Sequence, residues 1–337
     1  MTTFVIMKKL LYLIFPIVLL GCDDGDIITN DFDFEDASVE ACNPTAVNST
    51  SNNFVFYKNE NTNFESLVLQ IQTSDAILIT AGEYDGYLIS NGTNSFEYRK
   101  FNAAVGSDYY CNNIPPSSPV VTEVYRAFSG EISITTETRS QDDHDGIPAE
   151  QEGAIFVDGV IDLIATTQDS DGDGILDYLD SDDDGDNVLT IDEGVVLDAN
   201  GIIDPIASRN TDRSIEDENI LNYLDPDDDD DGVLTINEDI NGNLDPTDDH
   251  TSSGIANYLV FSSNPEIANP IIEEYREHSI KRINQLSINI TNLSLQNDRE
   301  EIIFTTYPFG EYRTSELLLK CTPNFIPVTG SEVCIFQ

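Results

Sequence analysis

The chain has 337 residues, and its 63 Asp and Glu against 15 Lys and Arg give a formal charge of −48. Such a charge repels phosphate, which argues against nucleic acid as a partner. With three histidines and no GxSxG, HExxH, Cys-His or phosphate-loop motif in the sequence, no recognisable catalytic centre is present and we expect no enzymatic activity.

The amino terminus has the pattern of an export signal. Lys8 and Lys9 precede an apolar stretch, residues 10–20, that is too short to span a bilayer. Its last two residues begin the sequence Leu19-Leu20-Gly21-Cys22, which resembles the lipobox of bacterial lipoproteins. The resemblance implies a signal peptide over residues 1–21 and lipid attachment to Cys22, hence a membrane anchor. The alternative is an ordinary secretory signal followed by a free thiol.

Residues 22–36 form an acidic tether that begins Asp23-Asp24-Gly25-Asp26. It resembles the stretch behind the cysteine in lipoproteins that some Gram-negative groups export to their outer surface. In other groups an aspartate directly after the cysteine retains the protein at the inner membrane. We expect an outer-membrane lipoprotein that faces outwards.

Cysteine usage agrees with export to an oxidising compartment. Without Cys22, an even number remains, namely Cys42, Cys111, Cys321 and Cys334. Three pairings are possible, and proximity in sequence favours Cys42 with Cys111 and Cys321 with Cys334.

Residues 37–140 are predicted to form a β-rich domain. Short runs rich in β-branched and aromatic residues are separated by Asn, Gly, Pro and Ser clusters. The predicted strands are residues 54–57, 67–71, 77–80, 96–101, 120–128 and 132–138.

The acidic array, residues 141–262, carries aspartates at alternate positions. Calcium takes six to eight oxygen ligands, and a twelve-residue loop can supply them from positions 1, 3, 5, 7, 9 and 12 with a sharp turn at position 6. Loop 1, residues 169–180, fits this spacing with Asp169, Asp171, Asp173, the Ile175 carbonyl, Asp177 and Asp180, and with Gly174 at the turn.

Three further loops follow the same spacing. Loop 2, residues 182–193, offers Asp182, Asp184, Asp186, Val188, Thr190 and Glu193, with Asn187 in place of the turn glycine. Loop 3, residues 227–238, offers Asp227, Asp229, Asp231, Val233, Thr235 and Glu238. Loop 4, residues 237–248, offers Asn237, Asp239, Asn241, Asp245 and Asp248, with Gly242 at the turn. Weaker copies begin near Asp143, Asp198 and Asp249.

The spacing between loops excludes EF-hands, because a single residue separates loop 1 from loop 2 and no helix fits there. The segments DSDGDGILDYLD and DPDDDDDGVLTINE resemble thrombospondin type 3 repeats as they occur in bacterial surface proteins. The resemblance implies several bound Ca²⁺ ions and sparse packing through Tyr178, Tyr223 and Tyr258. It covers about a third of the chain.

The alternative for the array is a disordered acidic tract. Residues 141–250 hold 35 Asp and Glu against two Arg, a net charge of −33. Two carboxylates about 5 Å apart repel by roughly 3 kcal/mol at an effective dielectric near 20. We therefore expect disorder without metal and order with it.

Residues 273–337 form a second β-rich segment, with strands predicted at 288–295 and 302–307. The segment is short for an independent core, so we expect it to complete the first β domain. The predicted fold class is mainly β, with β-sandwich-like flanks and an irregular, calcium-stabilised array projecting from them.

Three functions follow from this organisation. The leading one is a calcium-stabilised surface lipoprotein whose array is a stiff spacer or display arm for adhesion or ligand binding, with a surface protein or a glycan as partner. The second is a carbohydrate-binding component of a surface uptake system, and the third is a surface hydrolase.

Overall fold

The computed structural model describes residues 34–42, 52–90, 92–107, 109–112, 114–162, 165–212, 220–261 and 274–322. The predicted signal peptide, most of the tether, Cys22 and Cys334 lie outside these residues. Within the described ranges, no helix is both long and apolar enough to cross a membrane.

Extended structure dominates the described residues. The strands are β1 (Glu40–Cys42), β2 (Asn52–Glu60), β3 (Glu65–Thr73), β4 (Gly82–Leu88), β5 (Ser95–Phe101), β6 (Val121–Asp142), β7 (Phe156–Val157), β8 (Val160–Ile161), β9 (His278–Gln296), β10 (Glu301–Arg313) and β11 (Leu317–Cys321). One short α-helix, α1 (Ala76–Ile79), follows β3. Single 3₁₀ turns punctuate the array at Ala149–Gln151, Asp177–Leu179, Thr190–Asp192, Asn222–Leu224, Thr235–Glu238, Pro246–Asp248 and Asn257–Leu259.

Nine strands form one antiparallel sheet, whose main path runs β1-β2-β3-β5-β6-β9-β10, while β4 also pairs with β6 and β11 with β9. The long strands β6 and β9 pair from Arg126 and Gln296 to Asp142 and Lys281. Both β-rich flanks therefore belong to a single sheet, and the acidic array is inserted between its two central strands.

The sheet folds over on itself and encloses an aromatic core. Phe56 on β2 meets Tyr312 on β10 with ring centroids 5.6 Å apart, and Phe96 on β5 meets Phe309 on β10 at 6.0 Å. Phe56, Phe96 and Phe309 are each at most 1% exposed. Each such ring contributes about 1.5–3 kcal/mol by leaving water, and the arrangement is the mainly β, sandwich-like fold that the strand pattern predicts.

The described strands differ from the predicted ones in three ways. Residues 77–79 are helical rather than extended, because Leu78 and Ile79 donate their N–H groups to the Asp75 carbonyl and so close a helical turn. The runs 120–128 and 132–138 belong to one strand, β6, which passes through irregular pairings near Ser129. The strands β1, β4, β7, β8 and β11 were not predicted.

A disulfide joins Cys42 at the end of β1 to Cys111. Cys42, Tyr57 and Val68 form a small buried cluster beside it. Cys321 is disulfide-bonded as well, and its predicted partner lies outside the described residues.

The insertion between β6 and β9 predicts that the sheet folds without the array. Paired residues of antiparallel strands lie about 5 Å apart, so a linker of about six residues can replace residues 143–277. We expect this variant to unfold cooperatively in urea with the Cys42–Cys111 disulfide intact, at a midpoint close to that of the sheet in the calcium-free full chain. A variant without a cooperative transition would show instead that the array is part of the folding core.

Candidate metal centre

Loops 1, 2 and 3 share one backbone scaffold. The N–H of position 9 donates to the carbonyl of the residue before position 1: Asp177 to Gln168 at 3.1 Å, Thr190 to Ser181 at 3.0 Å, and Thr235 to Pro226 at 3.0 Å. The N–H of position 2 donates to the side chain of position 9: Ser170 to Asp177 at 2.7 Å, Asp183 to Thr190 at 3.2 Å, and Asp228 to Thr235 at 3.2 Å. The position 9 side chains, predicted as ligands, thus brace their own loops.

Position 5 is equally regular. The carboxylates of Asp173, Asp186 and Asp231 accept the N–H groups of Ile175, Val188 and Val233 at 2.6, 2.6 and 2.9 Å. In Asp186 and Asp231 the second oxygen is buried and has no hydrogen-bond partner. One oxygen therefore holds the loop while the other stays available to a ligand.

The alternate aspartates of the first two loops converge. Oxygens of Asp169, Asp171 and Asp173 lie within 4.8 Å of one another, and so do oxygens of Asp182, Asp184 and Asp186. At such separations a cation of calcium size can contact three carboxylates at its usual 2.3–2.6 Å. The structure thus brings together the ligands predicted at positions 1, 3 and 5.

Two left-handed residues shape each loop, at positions 4 and 6. The φ values are 77° and 98° at Gly172 and Gly174, 70° and 70° at Gly185 and Asn187, and 54° and 90° at Asp230 and Gly232. Loop 4 has 72° and 66° at Gly242 and Leu244, which are positions 4 and 6 when the loop is counted from Asp239. Glycine and asparagine take such angles at low cost, whereas leucine does not.

Asn187 does more than replace the turn glycine of loop 2. Its Nδ2 donates to the Glu274 carbonyl at 2.9 Å, and its Oδ1 accepts the N–H of Arg276 at 3.1 Å. The side chain of Arg276 donates to the Asn187 carbonyl. Asn187, which departs from the glycine expected at position 6, therefore links loop 2 to the segment that leads into β9.

The register of loop 4 differs from the predicted one by two residues. Position 1 is Asp239, whose carboxylate accepts the N–H groups of Asn243 and Leu244 at positions 5 and 6, as the carboxylate of Asp182 does at the same positions of loop 2. The amides of Asn241 and Asn243 donate to the two oxygens of Asp248 at 2.7 and 2.9 Å. The Asp248 carboxylate, which the predicted register assigns as a metal ligand, therefore accepts hydrogen bonds from two amides instead.

Most carboxylates in loop 2 are inaccessible to water. Asp182, Asp183, Asp186 and Glu193 are each at most 1% exposed. Both oxygens of Asp183 and both of Glu193 are buried without a hydrogen-bond partner. Charged groups in such positions require a compensating charge or a proton.

Residues at position 2 connect a loop to an earlier one, a feature the sequence reasoning missed. Oxygens of Asp228, position 2 of loop 3, lie within 4.8 Å of Asp186 and Glu193 in loop 2. Asp183, position 2 of loop 2, has the same relation to Asp145 and Glu152 in the weaker copy that precedes loop 1. The only sequence signal is an aspartate where an alternating pattern requires none.

Burial and mutual repulsion shift the carboxylates towards their neutral forms. Desolvation raises the pKa of Asp171 to about 8 and that of Asp182 to about 7. Desolvation, followed by repulsion from Glu152, raises the pKa of Asp183 well above its usual value. Without a cation, these groups hold protons near neutral pH.

Three tyrosines lie beside these groups of carboxylates. Burial and the charges of Asp183 and Glu152 raise the pKa of Tyr223 to about 12. Burial and the charge of Asp171 raise that of Tyr275 to about 12. Burial, with Asp228 next in size, raises that of Tyr258. Tyr223 and Tyr258, predicted as packing residues, are 8% and 3% exposed.

The array is fastened to the start of β9. Ser181 Oγ donates to the Ser279 carbonyl. Asp180, position 12 of loop 1, lies 2.7 Å from Nδ1 of His278, and both side chains are 2% exposed. Burial lowers the pKa of His278 and raises that of Asp180, so both shifts favour neutral partners. Sequence reasoning gave His278 no role, because nothing in its neighbours indicates burial.

Comparison with known proteins gives one partial match. The family model described as BamM C-terminal matches residues 142–204, which contain loops 1 and 2. This is less than a quarter of the chain, so the likeness concerns that part alone. No curated protein and no solved structure matches the chain.

The raised pKa values predict an unusual pH dependence for the metal-free protein. A folded state whose carboxyl pKa values exceed their unfolded values binds extra protons, so its stability rises as pH falls through that interval. For Asp171 and Asp182 the interval runs from the usual value of 3.8 to about 8 and about 7. The array stripped of metal should therefore resist urea and protease better at pH 5.5 than at pH 8.

Saturating calcium should reverse this trend, because protons compete with the cation for the same oxygens. Urea midpoints measured at several pH values, with and without calcium, test both signs. Metal-free stability that increases from pH 5.5 to pH 8 would contradict the assigned burial of these carboxylates.

Proposed function

We propose that the chain is a calcium-binding protein of the outer membrane, anchored through a lipid on Cys22 and exposed at the surface, with a non-enzymatic role in adhesion or ligand capture. Its array would bind several Ca²⁺ ions and become rigid only when they are present.

The observation that carries the proposal is the set of buried carboxylates without donors. In the part of the chain that the structure describes, neither oxygen of Asp183 or of Glu193 has a hydrogen-bond partner, and oxygens of Asp182, Asp184 and Asp186 converge within 4.8 Å. Sites with only hard oxygen ligands suit calcium rather than zinc or copper.

The path of the chain favours a compact module over a long arm. Residue 142 ends β6, and residue 278 begins the paired strand β9. Between them, Val188 of loop 2 packs against Ala256 and Tyr258 near the end of the array. The array therefore returns to its point of departure, and the proposed role is a rigid module at one end of the sheet.

Location rests on two independent features. The BamM C-terminal match, which lies within the array, suggests an outer-membrane-associated protein. The resemblance of Leu19-Leu20-Gly21-Cys22 to a lipobox independently suggests a lipid anchor. Extracellular calcium modules have dissociation constants of about 10⁻⁴–10⁻³ M, which fits a protein that meets calcium outside the cell.

Calcium should compact a protein whose metal has been removed with a chelator. We expect millimolar calcium to reduce the radius of gyration in small-angle scattering and to change the circular dichroism of the full chain. Asp184→Asn removes one of three converging carboxylates and should raise the calcium midpoint by about tenfold or more.

Asp192→Asn is the matched control, because Asp192 lies in the same loop and is exposed. It should leave the midpoint unchanged. If millimolar calcium does not compact the parent protein, the proposal is wrong.

A second candidate, carbohydrate binding, has one specific observation in its favour. A groove of about 870 Å³ lies where β6 begins and β9 ends, and polar side chains including Glu123, Arg126, Asn297 and Arg299 line it beside Phe128. Phe128 is 67% exposed, which gives an aromatic surface next to several hydrogen-bonding groups. The groove is about 50 Å of strand away from the array at roughly 3.3 Å per residue.

Glycan-array binding tests this candidate. We expect signals that Phe128→Ala lowers at least about tenfold, as loss of a buried aromatic contact does. Ile303→Ala, which removes another exposed side chain of the sheet, should have no effect. Absence of glycan binding by the parent chain would remove the candidate.

A further inference from the structure

We infer that a hard divalent cation binds where the array joins the sheet, in a cage of five carboxylates that includes one from loop 2. The junction cage consists of Asp142, Asp143, Asp145, Glu152 and Asp183. This inference rests on the proposed calcium chemistry. It adds a site that none of loops 1 to 4 forms by itself.

The cage is assembled from three parts of the chain. Asp142 is the last residue of β6, Glu152 follows the 3₁₀ turn at Ala149–Gln151, and Asp183 comes from loop 2. Oxygens of Asp142, Asp143 and Glu152 lie within 4.8 Å of one another, as do oxygens of Asp145, Glu152 and Asp183. Glu152 belongs to both sets and so occupies the centre.

The interior of the cage lacks donors. Glu152 and Asp183 are each 1% exposed, and Asp143 and Asp145 are each 5% exposed. Among the described residues, no group lies at hydrogen-bonding distance and angle from either oxygen of Glu152 or of Asp183, or from Oδ2 of Asp143 or Asp145. The first oxygens of Asp143 and Asp145 accept backbone N–H groups, which aims the second oxygens inwards.

Positive side chains of the described residues reach only the rim of the cage. His144 Nδ1 lies 3.6 Å from Asp142, and His144 is exposed. Lys281 pairs with Asp142 across the strands but directs its Nζ to Glu316 at 3.5 Å. A cage of oxygen atoms alone selects a hard cation.

A second cluster repeats the design. Asp145 and Glu152 stand seven residues apart, as Asp186 and Glu193 do, and each pair is completed by position 2 of a later loop, Asp183 or Asp228. In both, the first aspartate accepts the N–H two residues on, at 2.7 and 2.6 Å. Tyr223 lies beside the first cluster and Tyr258 beside the second.

A cation in the junction cage would fix the array to the sheet. The cage connects the end of β6 to loop 2, which is itself tied to β9 through Asn187 and Ser181. Loss of this ion should therefore loosen the array as a whole while leaving the sheet folded.

Bound calcium counted by native mass spectrometry on the full-length protein tests the inference. Glu152→Gln and Asp183→Asn should each bind one calcium ion fewer than the parent at a concentration that saturates it. Glu150→Gln is the control, since Glu150 is exposed and two residues away, and it should bind as many ions as the parent.

An unchanged count in both cage variants overturns the junction site and leaves the loop sites standing. A parent chain that binds no calcium overturns the proposed function as well.

Terbium luminescence gives a second measurement that does not depend on the folding of the cage variants. Terbium replaces calcium in oxygen sites and is excited by a nearby tyrosine, and Asp183 and Glu152 are the charges that act most strongly on the buried Tyr223. Tyr223→Phe should lower the terbium emission without changing the number of bound ions. Tyr87→Phe on β4 should leave both the emission and the ion count unchanged. Emission unaffected by Tyr223→Phe would also overturn the junction site.

Discussion

Carboxylates that leave water must be neutralised, and this constraint governs the structure of residues 142–259. Isolated charges in a protein interior cost several kcal/mol each, and loop 2 alone buries Asp182, Asp183, Asp186 and Glu193. Hydrogen bonds from the backbone compensate one oxygen of several aspartates but leave others without donors. Protons or cations must supply the remainder. The raised pKa values describe the first solution, and the proposed calcium sites are the second.

The sheet provides what the array cannot provide for itself, which is a frame that does not depend on charge compensation. Its core consists of aromatic and aliphatic side chains such as Phe56, Phe96 and Phe309, whose burial is favourable at any pH and ionic composition. Since β6 and β9 are paired up to Asp142 and Lys281, both ends of the array are fixed close together. Fixed ends lower the entropy that ion binding must overcome when it orders the loops.

Alternation of β-branched and aromatic residues was enough to predict the mainly β class and six of the larger strand regions, because that signal is local. It failed at residues 77–80, where an apolar run suits a buried helical turn as well as a strand. The spacing of aspartates predicted which carboxylates converge in loops 1 and 2. It could not fix the register of loop 4, because acids and amides alternate with a period of two from Asn237 to Asp245 and fit two frames equally. The links through Asp183, Asp228 and His278 depend on contacts between distant residues, which no local pattern contains.

Under the proposed function, the charge of the array also decides where it can fold. Within a cytoplasm of low free calcium, modules with dissociation constants of about 10⁻⁴–10⁻³ M remain empty, and a net charge of −33 over residues 141–250 keeps that segment expanded and soluble. Outside the cell, millimolar calcium would neutralise the same carboxylates and order the loops. Under the same proposal, an array that cannot collapse before export would present an unfolded segment to the secretion machinery. The excess of aspartate would then suit a protein that completes its folding outside the cell.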